Sequence, residues 1–159
     1  MVIACDIQDP KHPKVTKVAP TEACPEYLVE SSGELLQVIP TTIDPEEGMF
    51  EKVIRFEVFK LDPIGPNANR VRMKNLYGRT LFVGNNHTIS LSNSNFPQCK
   101  PNCIYFTDDN IAHYESEGPS DVGVFNLEEG IFEPNPVMEF KKLIPQSVWV
   151  KQMPKPLWI

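Results

Sequence analysis

The sequence predicts an all-β fold of short antiparallel strands joined by turns, and three observations carry that reading. Apolar and polar residues alternate at a period of two in several windows, as in Thr88 to Ser92 and Arg70 to Lys74, rather than at the helical period. Sixteen prolines are spread along the 159 residues. That disfavours a helical bundle, because an interior proline removes a helix hydrogen bond and kinks the chain. Between the alternating runs stand clusters of Gly, Asn, Asp, Ser and Pro, the residues that reverse a chain.

Val2 to Ile7 reads as a first strand and Val15 to Ala19 as a second, with a loop through Pro10 and Pro13 between them. Tyr27 to Ile39 reads as a hairpin: Tyr27, Leu28 and Val29 lead in, Ser31, Ser32 and Gly33 turn, and Leu35 to Ile39 return. Gly33 supplies the positive φ of the tight turn. Thr41 to Gly48 is an acidic, Pro-interrupted loop. Val53 to Leu61 is a strong strand, with Ile54, Phe56 and Val58 on one face and Arg55, Glu57, Phe59 and Leu61 on the other. Apolar side chains on both faces place it inside a sheet covered on both sides. Asp62 to Asn69 is turn chemistry, and Arg70 to Leu76 is the return strand.

Leu81 to Val83, then Ile89 and Leu91 with their polar neighbours, then Ile104 to Phe106 read as three strands. A loop of Asn, Pro and Cys separates the last two. Ile111 to Pro119 is a polar surface loop. Asp121 to Asn126 and Gly130 to Glu133 form a final hairpin around Glu128, Glu129 and Gly130. From Pro134 to Ile159 the chain is Pro-punctuated and carries Trp149 and Trp158. It reads as an irregular tail that docks on the domain, since exposed tryptophans would promote aggregation.

The length suits one domain and not two. A formal net charge of −6, with basic residues clustered no further than pairs such as Lys141 and Lys142, argues against nucleic acid and anionic membranes as partners. No window approaches the roughly twenty apolar residues of a membrane span. The N-terminal MVIACDIQDPKHP has no basic leader, so an intracellular chain, cytoplasmic or nuclear and not secreted, is expected. Cys5, Cys24, Cys99 and Cys103 are then expected to be free thiols.

The strand groups recur at roughly forty residues, a spacing produced both by four-stranded propeller blades and by the hairpins of an antiparallel sandwich. The run GNNHTISLSNSNFPQCKPNCIYFTDDN from Gly84 to Asn110, followed by DVGVFNLEEGIFEP from Asp121 to Pro134, resembles the C-terminal part of the KIB-type β-propeller domain found in plant F-box proteins. YLVESSGELL from Tyr27 to Leu36 and FEVFKLD from Phe56 to Asp62 resemble the preceding strands in the same order. A departure stands at Val71, where the family commonly carries Trp. The resemblance implies a partial, incomplete β-propeller of antiparallel blades over residues 1–133, truncated on its N-terminal side, with residues 134–159 as the tail. At about 40 to 45 residues per blade the chain holds three to four blades, and its first and last strands would leave unpaired edges.

Three kinds of site are open to these residues. Cys99 and Cys103, spaced C-x3-C, with His87 or His113, are a candidate zinc set, but no second pair stands at comparable spacing. A buried apolar Cys103 is the plainer reading. Cys103, His87 and Asp108 are a candidate nucleophile, base and orienting acid without a local signature. Asp108 with Asp109, and Asn85 with Asn86 and His87, read more simply as turns. No residue is therefore assigned a catalytic, cofactor-binding or metal role, and no cofactor is expected. The third kind is a binding surface made by the loops at Thr41 to Gly48, Asp62 to Asn69 and Ile111 to Pro119.

The resemblance implies a non-enzymatic protein-interaction module, the target-recognition part of an F-box subunit of a cullin-type ubiquitin ligase. Its partner is then a protein, and a shaggy-like kinase is the type some family members are implicated in recognising. No F-box is seen ahead of the strands, so a Skp-type adaptor is not an expected partner, and the chain would bind its target alone or act as a decoy. The alternatives are a small metal-dependent or thiol enzyme using Cys99, Cys103 and His87, and a non-functional gene fragment.

Overall fold

Runs of alternating and β-branched residues fold as strands wherever a neighbouring strand can satisfy their amides, and eleven strands form in this way among the described residues of a computed structural model of the chain. The structure describes residues 2–6, 14–19, 26–43, 52–62, 69–84, 87–107 and 122–134, and no helix occurs among them. The strands are β1 (Val2–Asp6), β2 (Lys14–Ala19), β3 (Tyr27–Ser31), β4 (Glu34–Ile43), β5 (Lys52–Asp62), β6 (Asn69–Met73), β7 (Arg79–Val83), β8 (Ile89–Ser92), β9 (Cys103–Phe106), β10 (Gly123–Asn126) and β11 (Ile131–Phe132).

They make three sheets. β1 and β2 pair as a ribbon, and β2 lies beside β5 and β6. β3, β4, β5 and β6 follow one another as an antiparallel meander, the arrangement of a four-stranded blade. The third sheet runs in the order β11, β10, β9, β7, β8, and its pairs are antiparallel except β7 with β9, which is parallel. A parallel pair cannot be joined by a tight hairpin. β8 therefore turns back along the outer side of β7, and residues 93–102 cross to the other side before β9 begins.

The β3–β4 turn is the two-residue loop expected of a right-twisted hairpin. Ser32 has φ 57° and Gly33 φ 79°, and the Gly33 amide donates to Glu30 Oε1 at 2.7 Å.

The second and third sheets face each other across one core. Val29, Leu36, Val38, Phe56 and Val58 come from the meander, and Leu81, Val83, Ile104, Phe106 and Phe125 from the third sheet. Phe56 stands between them, its ring centroid 5.0 Å from that of Phe106 and 5.7 Å from that of Phe125, both tilted. Gly123 is opposite Phe106 in the register, and the Phe106 ring occupies the space a Cβ would need, with atoms only 2.8 Å from that position.

The other face of the meander is also covered over the second half of β5. Phe59 and Leu61 are buried there with Gln37 and Ile39, and the Arg70 guanidinium lies 3.8 Å from the centre of the Phe59 ring. The covering expected on both sides of this strand is found from Phe56 to Leu61 only, since Ile54 and Arg55 are exposed.

Two expectations for this region are corrected. Thr41, Thr42 and Ile43 belong to strand β4 and not to a loop. Pro40 does not stop the strand because β3 ends its pairing at Val38, so no outer neighbour requires an amide from residue 40. Ile54 does not share the core face with Phe56 and Val58. The register shifts between Thr41 and Thr42, so Thr41 pairs Arg55 while Thr42 pairs Val53, and Ile54 is the extra residue of a bulge. Val53 packs on the core in its place, and Ile54 is left exposed.

Replacing Phe56 with alanine is expected to cost about 3–5 kcal/mol of stability, as for other buried Phe truncations. Val71→Ala, at an exposed position, should change it by about 0.5 kcal/mol or less. Urea unfolding followed by circular dichroism compares the two, and equal losses would show that Phe56 does not join the sheets.

Candidate functional site

Side-chain hydrogen bonds of Thr80, Asn93 and Asn102 gather at the end of the third sheet where β7 and β9 both begin. Residues 93–102 wrap around the start of β7. Asn93 N donates to the Gly78 carbonyl at 3.2 Å, and Asn102 N donates to the Arg79 carbonyl at 2.8 Å. The buried Thr80 hydroxyl donates to the Lys100 carbonyl at 2.7 Å, and Asn93 Nδ2 donates to the Cys99 carbonyl.

Asn102 is the hub of this clasp. Its Oδ1 accepts the amides of Leu76 at 3.1 Å and Gly78 at 3.2 Å, and its Nδ2 donates to Glu128 Oε2 at 2.6 Å. Its carbonyl accepts the Leu127 amide at 2.9 Å. The residue sits at φ 58°, a left-handed conformation that Asn tolerates better than most side chains. One amide group thus binds the β6–β7 connection to the β10–β11 turn.

A second set closes that turn. Asn126 Oδ1 accepts the amides of Glu128 and Glu129, each at 3.1 Å, and Asn126 Nδ2 donates to Glu133 Oε1 at 3.2 Å. Lys100 Nζ meets Glu133 Oε2 at 2.6 Å. The hydrogen bond from Lys100 holds the Glu133 carboxyl below the usual carboxylate range, and the same bond raises the Lys100 ammonium.

The connection held by Asn102 is a β-turn from Leu76 to Arg79, closed by Arg79 N donating to the Leu76 carbonyl at 3.2 Å. Tyr77 at φ 52° and Gly78 at φ 73° give both central residues positive φ, the type I′ pattern. Leu76 is buried, whereas Tyr77 is 82% exposed. Beyond this turn, Arg79 donates through Nε to Ser90 Oγ at 3.0 Å and through Nη1 to Ser32 Oγ. Ser31 and Ser90 share a hydrogen bond of 2.8 Å, and Thr88 donates to the Leu28 carbonyl at 2.6 Å. These bonds tie β3 of one sheet to β8 of the next.

The residues that the sequence offers for catalysis or metal binding are not brought together. Cys103 opens β9 at the clasp end, while His87 is exposed beyond the opposite end of β7. Cys99 and Cys103 are free, and among the described residues no group of three or more His, Cys, Asp or Glu side chains could hold a metal. Cys103 is buried, and burial pushes its thiol up from 9.0 to about 11; burial raises Cys99 as well. A nucleophile or ligand needs the opposite shift, toward thiolate.

His113, Asp108, Asp109, Cys24 and residues 135–159, read from the sequence as part of a docking tail, lie outside the described residues, as does the Cys5 side chain. So do residues 44–51, 63–68 and 108–121, which contain most of the three loops expected to bind a partner. No helix among the described residues is long and apolar enough to cross a membrane.

Asn102 is the residue that sequence reading passed over. Its signal is weak but real: Asn two residues after Lys100 and next to Pro101, ahead of a buried strand, is a type that adopts positive φ and bonds nearby backbone.

Comparison with known proteins gives one match. A family model described as the KIB1-4 beta-propeller covers residues 1–126. Neither the curated proteins nor the solved structures contain a significant match.

Two outcomes follow from this geometry. Asn102→Ala and Asn102→Gly both lose the side-chain bonds and are expected to destabilise by about 2 kcal/mol. The alanine variant should lose roughly 1 kcal/mol more, because it must hold a left-handed backbone. Chemical denaturation of both measures the difference, and an alanine variant as stable as the glycine one would remove the backbone contribution.

Cys103 keeps its proton to higher pH when folded than when unfolded. Between about pH 9 and 11 the unfolded chain therefore binds fewer protons, and stability falls as pH rises. Cys103→Ala should flatten that decline when urea midpoints are compared across the window, and in native protein at pH 8 a thiol reagent should label Cys99 before Cys103.

Proposed function

The chain belongs to the KIB1-4 beta-propeller family, and we propose that it is the target-recognition part of an F-box-type ubiquitin ligase subunit, or a relative that binds the same targets through the propeller alone. The family is a β-propeller family, and at that level the chain is a protein-interaction module. The match over residues 1–126 is the single observation that carries the reading.

The geometry supports it. Propellers bind through the turns and loops at the ends of their strands. In this chain one such end, formed by residues 75–79, 93–102 and 126–133, is made rigid by the Asn102 and Asn126 networks. A rigid end loses little conformational freedom on binding, which favours affinity. The thiol-enzyme alternative draws no such support, because Cys103 is buried with a raised pKa and His87 lies at the other end of the sheet.

The target class proposed from the family resemblance is a protein kinase of the shaggy-like type. Fused behind an F-box, the propeller would hold such a target while a Skp-type adaptor docks on the F-box. Without an F-box it would hold the target only. The purified chain, immobilised on a sensor, is expected to bind a recombinant shaggy-like kinase domain with a Kd in the micromolar range or tighter, on the order of a specific transient interface. It is expected to bring down no Skp-type adaptor. Absence of kinase binding would remove this target class, and direct adaptor binding would assign the propeller a different role in the ligase.

A further inference from the structure

The third sheet has no neighbouring strand on one side. Its β8 edge is met by β3 of the meander, through the bond of Ser31 with Ser90 and that of Thr88 with the Leu28 carbonyl, whereas no described strand stands beyond β11. β11 is only two residues long, and consecutive strand residues point to opposite faces of a sheet. Both are apolar and both are open. Ile131 is 52% exposed on one face, and Phe132, edge-on to Phe106 and Phe125 at the margin of the core, is 41% exposed on the other. An apolar edge of this kind is a template for another strand.

The sequence supplies a matching strand a short way on. Residues 146–153, QSVWVKQM, stand between Pro145 and Pro154, which bound the run because neither can donate to a ladder. Val148, Trp149 and Val150 are three consecutive residues of high β-propensity, and in an extended chain they put apolar side chains on both faces, as β11 does. Residues 133–145 lead from Phe132 to this run, more chain than a reversal requires.

Charge points the same way. Residues 135–159 carry four lysines and one glutamate, a formal +3, which leaves −9 on the other 134 residues of a chain whose total is −6. Glu128 and Glu129 are exposed in the turn that leads into β11, and Lys151 directly follows Val150. A basic, apolar segment thus continues from an acidic, apolar edge.

We propose that residues 146–153 of the same chain add to the outer edge of β11 as the next strand of the third sheet, with Trp149 over Phe132 and with Val148 and Val150 on the face of Ile131. The family match ends at residue 126, so this strand lies beyond the matched region. The proposal is independent of which target the chain binds, because it concerns how the last sheet is closed. It gives the tail one docking place, and it removes the edge at which two copies of the chain would otherwise pair.

Trp149 and Trp158 are the only tryptophans in the sequence, so in a Trp158→Phe background the fluorescence of the full chain reports on Trp149 alone. In the native protein its emission is expected at shorter wavelength, and its quenching by acrylamide weaker, than in the chain unfolded in urea. Ile131→Lys replaces an exposed side chain and sets a cation beside the incoming Lys151. It is expected to bring both readings most of the way to their unfolded values while the strand signal in circular dichroism persists. Native Trp149 as open to acrylamide as in urea overturns the proposal, and so does shielding that Ile131→Lys leaves unchanged.

A photo-reactive phenylalanine analogue at position 149 of the full chain locates the contact without altering β11. Mass spectrometry of the irradiated protein is expected to find it joined to β10 or β11 within one chain. Joining between two chains would make a second copy's tail the occupant and overturn the intrachain strand. Adducts confined to other strands, or none, overturn it as well.

Discussion

The contact of the Phe56 ring with those of Phe106 and Phe125 is what the rest of the molecule depends on. The meander and the third sheet are otherwise separate hydrogen-bonded units, with no backbone ladder between them. Burying aromatic and aliphatic side chains between two sheets is the strongest available reason for them to face each other. Phe132 extends the cluster, edge-on to both Phe106 and Phe125. The Arg79, Ser31, Ser32 and Ser90 bonds and the Thr88 bond then set how the edges β3 and β8 meet once the core has brought them close.

On that base, the end of the third sheet is organised by polar side chains rather than by apolar packing. Asn102 and Asn126 each bind backbone groups of a neighbouring turn, and Lys100 with Glu133 closes the gap between them. Exposed ion pairs contribute little to stability by themselves. The asparagines, by contrast, satisfy amides that the turns would otherwise leave to solvent, and in doing so fix the shape of the end. A family fold that serves binding gains from such a rigid end whichever protein it meets.

Much of this was legible in the sequence. Period-two alternation and turn residues located the strands, Gly33 marked the tight hairpin, and the family resemblance carried by residues 84–110 and 121–134 agrees with the family match. The failures have physical causes. Ile54 alternates with Phe56 and Val58 in sequence, but a bulge changes the count by one residue, and periodicity cannot register an insertion made by the partner strand's register. Pro40 looks like a strand breaker, yet it stands where no outer neighbour needs its amide. The parallel pairing of β7 and β9 and the role of Asn102 depend on which segments meet in space, and local pattern holds no record of that.

The parallel pairing bears on how the chain folds. β7 and β8 are neighbours in sequence and form a local hairpin, whereas β9 can join β7 only after residues 93–102 have been drawn around the start of that strand. Closing that connection restricts the chain before the new strand's contacts reward it, so non-local pairing of this kind is slow relative to hairpin formation. The KPNC run is therefore expected to act late in assembly. Its Asn102 bonds are made only when β9 has taken its place, and until then the end of the sheet that presents the turn at Tyr77 does not exist.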